Sequence, residues 1–145
     1  MEERIYKKLS IVDLSLLMQI KAPFSICGEN AKQFLNNPTN WIFACIQENK
    51  IIGYAMGYEH INFYNSDKSL YIHAMIVDKQ YRRHGIGTGI LTGIKETCKL
   101  LGIHEFFLIT FKSNIAACGL YEKSGGKNHP MSNDDDRAYF FKTSD

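Results

Sequence analysis

The mix of apolar and polar positions in RIYKKLSI, residues 4–11, reads as a first strand. Leu14, Leu17 and Met18 then fall on one face of a helix that Ser10 or Asp13 can cap. Pro23 and Gly28 bracket a break, and a short helix near ENAKQFLNN ends at Pro38. WIFACIQEN (41–49) and KIIGYAMGYEHI (50–61) are rich in β-formers and meet at Asn49–Lys50, a tight hairpin. NSDKS (65–69) is a second turn. SLYIHAMIV (69–77) completes a three-strand meander, and its unbroken apolar run predicts burial on both faces. Ile86, Ile90, Ile94 and Cys98 recur every four residues, with Leu91 and Leu101 widening the stripe, so a helix follows and Gly102 caps it. HEFFLITF (104–111) reads as another buried strand. Ser113 or Asn114 caps a helix through Lys123, closed by Gly125-Gly126. The loop MSNDDDR (131–137) precedes a last short strand, AYFFK.

This order of strand, helices, meander, helix, strand, helix and strand predicts one α/β domain over residues 1–145, built around a single mixed sheet. The length suits one core, and 45% hydrophobic against 22% charged residues argues against a disordered chain. The formal charge of +2 is spread along the sequence, with no basic run of the kind non-specific nucleic-acid binders carry. Cys27, Cys45, Cys98 and Cys118 form no CxxC pair and no zinc-ligand spacing, so reduced thiols and no metal are expected. MEERIYKKLS lacks the apolar core of a secretory leader, and no segment approaches the ~20 apolar residues that span a bilayer. A soluble, cytoplasmic protein without a membrane or nucleic-acid partner is the expectation.

One stretch departs from helix logic. YRRHGIGTGIL (81–91) loads the start of the third predicted helix with Gly85, Gly87 and Gly89, and Gly93 follows. Each glycine inside a helix costs ~1 kcal/mol against alanine. A strand entering a glycine-rich turn at a helix N-terminus makes an anion site, because the first helical N–H groups have no internal partner and the macrodipole favours negative charge. Lys79, Arg82, Arg83 and His84 add positive charge around it. Tight packing of the helix against a strand explains the glycines equally well. The motif lacks the Lys-Ser/Thr of a P-loop, and it follows the fourth strand where a dinucleotide fold needs the first.

R82-R-H-G85-I-G87 resembles the R/Q-x-x-G-x-G/A motif of the GNAT superfamily of acyl-CoA-dependent N-acyltransferases. V77-D-K-Q-Y-R-R-H-G-I-G-T-G-I-L is similar to that family's whole strand-loop-helix unit. N114-I-A-A-C-G-L-Y121-E-K-S-G-G resembles its later N-x-x-A-x-x-L-Y motif, with Gly126 where an aromatic is usual. The resemblance covers the second half of the chain by motif and the first half by element order. It implies a GNAT-like α/β fold: a mixed, mostly antiparallel sheet with splayed fourth and fifth strands and helices on both faces. It further implies acetyl-CoA as cosubstrate. The pyrophosphate would lie on the turn formed by Arg82, Arg83, His84, Gly85, Ile86, Gly87 and Thr88. The pantetheine arm would run along Met75, Ile76 and Val77, with Asn114 and Tyr121 lining the same cleft. A homodimer is compatible with it.

Acyl transfer to an amine needs a proton acceptor for the amine, a donor to the carbonyl oxygen and a proton for the departing thiolate. His73 is the candidate base: strand alternation places it on one face with Tyr71 and Met75, and an imidazole suits proton acceptance at neutral pH. L70-Y-I-H-A-M-I-V77 also resembles the serotonin N-acetyltransferases, whose strand places a histidine at this position. A histidine merely packed beside aromatics is the plain alternative. Glu59 is a second candidate base, more simply read as a solvated strand-end charge. Tyr121 falls at the family's acid position, since a phenol holds its proton at neutral pH, and the Met75 N–H is the oxyanion donor that the resemblance implies. Asp134, Asp135 and Asp136 have the charge to attract a cationic amine, and Phe24, Tyr58, Phe63 and Tyr64 the rings to line an acceptor pocket. FLNNPTNWIFACIQENKIIGYAMGY loosely resembles aminoglycoside 3-N-acetyltransferases, which carry an acidic residue where this chain has Ala74.

The expected function is transfer of an acetyl group to a primary amine of a small molecule by direct attack. Two alternatives stand beside it: a non-catalytic acyl-CoA-binding sensor, and an acetyltransferase of peptides or proteins.

Overall fold

The computed structural model describes residues 3–21, 23, 25–129 and 133–143. Phe24 and the first residues of the 131–137 loop lie outside them. The elements in chain order are β1 (Arg4–Lys8), α1 (Leu14–Leu17), α2 (Gly28–Asn36), β2 (Asn40–Gln47), β3 (Lys50–Ile61), β4 (Lys68–Val77), α3 (Ile86–Leu101), β5 (Glu105–Phe111), α4 (Ile115–Lys123), β6 (Lys127–Asn128) and β7 (Asp136–Lys142). The expected α/β architecture is present, with small shifts at the ends. β1 stops at Lys8 because Ile11–Asp13 form a 3₁₀ turn, in which the Ser10 N–H donates to the Asp13 carboxylate at 2.9 Å. The β2–β3 hairpin turns on Glu48 and Asn49, both at positive φ, one residue earlier than the sequence suggested. The two-residue strand β6 carries no apolar pattern and had no signal to be read.

The strands form one sheet in the order β1-β2-β3-β4-β5-β7-β6. All neighbours are antiparallel except β4 and β5, which run parallel. Their pairing ends at Ile72↔Leu108, although β4 continues to Val77 and β5 to Phe111. The sheet therefore opens into a V. Burial of both strands on both faces, expected from their apolar runs, is not found. Only Leu70 and Ile72 of β4 and Phe106 and Leu108 of β5 are buried, because no described helix packs on the face that carries Tyr71 and Phe107 and the opening bares the ends of both strands.

Two cores lie on opposite faces. Trp41, Phe43, Ile72, Phe106, Tyr139 and Phe141 pack with Ile86, Ile90, Leu91, Ile94 and Cys98 of α3 and with Tyr121 of α4. Leu17, Ile20, Ala31 and Leu35 pack on Ile42, Ala44 and Ile46 of β2 and Ile51 of β3. The glycines of α3 belong mostly to the first core. A Cβ at Gly89 would meet the Tyr6 ring at 2.4 Å, and one at Gly93 the Phe43 ring at 2.5 Å. These two glycines let α3 lie close on β1 and β2. Gly93→Ala is therefore expected to destabilise the fold by about 1–3 kcal/mol, overriding the ~1 kcal/mol helix-propensity gain, because buried Phe43 has no room to move. Chemical denaturation decides it by sign alone.

Cysteine reactivity should follow burial. Cys27 is exposed, Cys118 is half-buried, and Cys45 and Cys98 are buried. Desolvation, with the Glu59 charge as a smaller cause, pushes the Cys98 thiol up to about 12. Ellman's reagent at neutral pH is expected to modify Cys27 fast, Cys118 slowly, and Cys45 and Cys98 only after denaturation.

Candidate active site

The turn after β4 is built to present backbone N–H groups. Asp78 starts it, its carboxylate accepting from the Gln80 N–H at 3.1 Å, and Lys79–Tyr81 make a 3₁₀ turn. Arg83 then adopts φ +66° and Gly85 φ +79°. Positive φ is uncommon for a residue as bulky as arginine. Alternating left-handed residues turn successive amides toward one side, the geometry that holds anions. The first α3 hydrogen bond runs from Gly89 N to Gly85 O at 3.0 Å, and Gly85 provides no side-chain cap. Among the described residues, no acceptor takes the amides from Arg83 to Thr88. Arg4 anchors the turn from β1, donating to the His84 carbonyl at 2.8 Å, and Arg82 donates to the Val77 carbonyl at 3.3 Å.

Val77, Tyr81, Arg82, Arg83, Gly85, Ile86, Gly87, Thr88 and Leu120 line a cavity of about 290 Å³ over these amides. His84 is not among them, and its carbonyl is the group that Arg4 holds. The cavity shares Val77, Arg82 and Arg83 with a larger groove of about 1030 Å³, which also takes in Met75, Ile76, Asn114 and Tyr121. Most residues singled out in the sequence thus meet along one continuous path. Leu16 of α1, Gln19, Ile20, Lys21 and Pro23 after it, and Lys50–Tyr54 of β3 also line it. No sequence signal marks them, because only the tertiary fold brings them to the V.

β4 changes the expected place of His73. Met56 pairs with Ala74 and Gly57 with Ile72, so His73 is an extra, unpaired residue in a β-bulge. Gly57 is required there: a Cβ would sit 2.5 Å from the Tyr71 carbonyl oxygen. The bulge breaks the period-two alternation on which the shared face of Tyr71, His73 and Met75 rested. Tyr71 and His73 lie together, rings 5.9 Å apart, with the Tyr71 hydroxyl 3.4 Å from His73 Nδ1. His73 also meets Tyr58, which touches Phe34 of α2. Met75 packs on the opposite face, against the α3 core. His73 is exposed and stands immediately past the last β4–β5 pair.

Tyr121 reaches the V from the α3–α4 side. It is 8% exposed, and burial first, then the neighbouring Cys118 thiol, raises its hydroxyl above the ordinary phenol value of 10. Asn114 caps α4, its side chain accepting from the Ala117 N–H at 3.2 Å. Glu59 is not a free strand-end charge: its carboxylate accepts from the Trp41 indole at 3.3 Å. Asn133 organises the acidic loop, accepting from the amides of Asp135 and Asp136 at 2.9 and 2.8 Å. Phe63 and Tyr64 are exposed on the β3–β4 turn and stack on each other, away from the groove.

The model of the acetyltransferase (GNAT) family matches residues 12–126. The chain belongs to the GNAT family. Solved structures agree with that fold. An aminoglycoside acetyltransferase from an uncultured soil metagenomic sample, in complex with sisomicin, is 23% identical and superposes with a TM-score of 0.75 over 90% of each chain. The ribosomal-protein-S18-alanine N-acetyltransferase of Escherichia coli is 18% identical, with a TM-score of 0.71 over 99% of this chain and 96% of that one. Arabidopsis thaliana NAA60, solved in complex with acetyl-CoA, is 14% identical, with a TM-score of 0.74 over 97% and 98%. No curated protein sequence matches the chain significantly. No described helix of this GNAT domain is long and apolar enough to cross a membrane.

Proposed function

We propose that this GNAT domain transfers an acetyl group from acetyl-CoA to a primary amine of a small molecule by direct attack. The observation that carries the reading is the V itself: unpaired strand edges from His73 to Val77 lead from Tyr121 to the open amides of Arg83–Thr88. The donor set fits the group it would hold. Backbone N–H groups and two arginines suit a pyrophosphate, and unpaired strand edges suit the amides of a pantetheine arm.

His73 and Tyr121 approach the gap from opposite faces of the sheet, which divides the proton work. His73 accepts the proton of the incoming amine on the α1–α2 face. The Met75 N–H donates to the carbonyl oxygen as charge builds on it. The new bond joins amine nitrogen to carbonyl carbon, and the carbon–sulfur bond breaks. Tyr121, kept protonated by burial, gives its proton to the departing sulfur on the α3–α4 face.

Thiol release from acetyl-CoA against a panel of small amines, polyamines, amino acids and short peptides tests this, with calorimetric acetyl-CoA binding alongside. Amine-dependent release on small amines is expected. Release on peptides alone would make it a peptide acetyltransferase. Tight binding without release on any amine would make it a sensor, and no acetyl-CoA binding would end the reading.

A further inference from the structure

Resting on the acyl-transfer reading, we infer that the acceptor amine is carried on an aromatic or flat apolar body that docks on the open face of β4, β5 and β7 beside His73. The core under α1 and α2 draws its strand residues from β2 and β3. α3 and α4 pack on the other face. The face of β4, β5 and β7 that carries Tyr71 is left half-exposed among the described residues, and it is aromatic. Tyr71 stacks on Phe107 at 5.2 Å and 27°, and Phe107 on Phe140 at 4.9 Å and 9°. At its β4 end this ladder meets the His73 ring. Along β5 the same face continues past the last β4–β5 pair with Ile109, 52% exposed, and Phe111, 67% exposed.

These side chains do not line the groove itself, but His73 joins them along β4 to Met75, which does, and apolar side chains so exposed on a rigid sheet mark a binding surface. Its place assigns the occupant. The turn amides and Tyr121 serve the α3–α4 side of the gap, so the donor occupies that side and the His73 side falls to the acceptor. Its chemistry assigns the class. Beyond the last pair this face of β4 and β5 carries His73, Ala74, Ile76, Ile109 and Phe111, and no carboxylate. The carboxylates of this face stand at its two ends: Glu105 opposite Lys142 at the start of β5, and Asp136 opposite Phe111 at the far rim, where it accepts from the Asn133 amide at 3.3 Å. A polycation finds acidic groups only at the ends of this face, whereas a flat ring finds a stack to extend between them.

The test titrates tryptamine, n-butylamine and kanamycin into the protein saturated with CoA, by calorimetry, then repeats the three as acceptors in thiol release from acetyl-CoA. Tryptamine is expected to bind at least about tenfold more tightly than n-butylamine, with kcat/KM in the same order. Phe107→Ala and Phe111→Ser should each shrink that ratio by about tenfold. Phe111 is exposed enough that its variant will fold if Phe107→Ala does not, and acetyl-CoA calorimetry verifies both. Equal binding of the two monoamines, tighter binding of kanamycin, or an unchanged ratio in Phe111→Ser would overturn the inference. So would a dimer in sedimentation that Phe111→Ser disperses, since a second copy would then own this face. Loss of acetyl-CoA binding or of all thiol release would count against the acyl-transfer reading instead, and the tryptamine titration still decides this one.

Discussion

Tyr121→Phe is expected to slow turnover about 10²-fold or more while leaving acetyl-CoA affinity within a factor of about three. The substitution removes one hydroxyl and keeps the ring, which packs 5.8 Å from Tyr139 in the core. The C-terminal cap of α4 depends on the Tyr121 carbonyl, which accepts from the Gly126 N–H at 2.9 Å, and this is untouched. What disappears is the proton for the leaving sulfur. The direction of the pKa shift makes this specific. Burial raises the phenol above 10, so the wild-type hydroxyl is a proton donor throughout the neutral and mildly alkaline range. Its loss of the proton cannot halve the rate until the pH passes 10. A wild-type kcat that falls by half below that point would have another cause. An unchanged kcat in the variant would assign proton delivery to another donor or to water.

Gly85→Val is expected to weaken acetyl-CoA binding by about tenfold or more, equivalent to ~1.4 kcal/mol. The space around Gly85 is open, so no clash drives the effect. Its φ of +79° does, because a β-branched residue there is a genuine outlier costing about 1–2 kcal/mol. The turn must relax, and the amides from Arg83 to Thr88 lose their common direction. Gly102 supplies a matched control at the other end of α3. It caps the helix at φ +73° with equally open surroundings, far from any cavity residue. Gly102→Val should cost similar stability in denaturation and leave acetyl-CoA affinity unchanged. Equal weakening in both variants would attribute the loss to α3 stability and remove the turn from the binding site.

The four glycines of one motif show how far local reading extends. From the sequence, anion access and tight packing explained them equally well. They divide between the two. Gly85 serves the turn through its backbone conformation, while Gly89 and Gly93 serve packing against Tyr6 and Phe43. Gly87 does some of each, lining the cavity while a Cβ there would press on Leu120 at 2.9 Å. Nothing in residues 85–93 names Tyr6 or Phe43 as neighbours. Likewise His73 was correctly placed on β4 beside Tyr71 but Met75 was wrongly placed on their face, because a bulge shifts alternation without leaving a mark in the strand itself. The mark was Gly57 on the partner strand.

By itself the sequence determined the order of the main elements, the meander, the cap at Gly102 and that at Ser113 or Asn114, and the strand-turn-helix unit with its charged approach. Each rests on contacts a few residues apart, where propensity, capping and period act directly. The resemblance implied that the fourth and fifth strands splay; tertiary structure alone decided that they part after Ile72 and Leu108, that β7 inserts between β5 and β6, and that His73 and Tyr121 lie on opposite sides of the gap. Those depend on which strands find one another across the whole chain. A strand's own residues set its twist and its faces but not its neighbour, and the cleft exists because one neighbour is missing over the last residues of two strands.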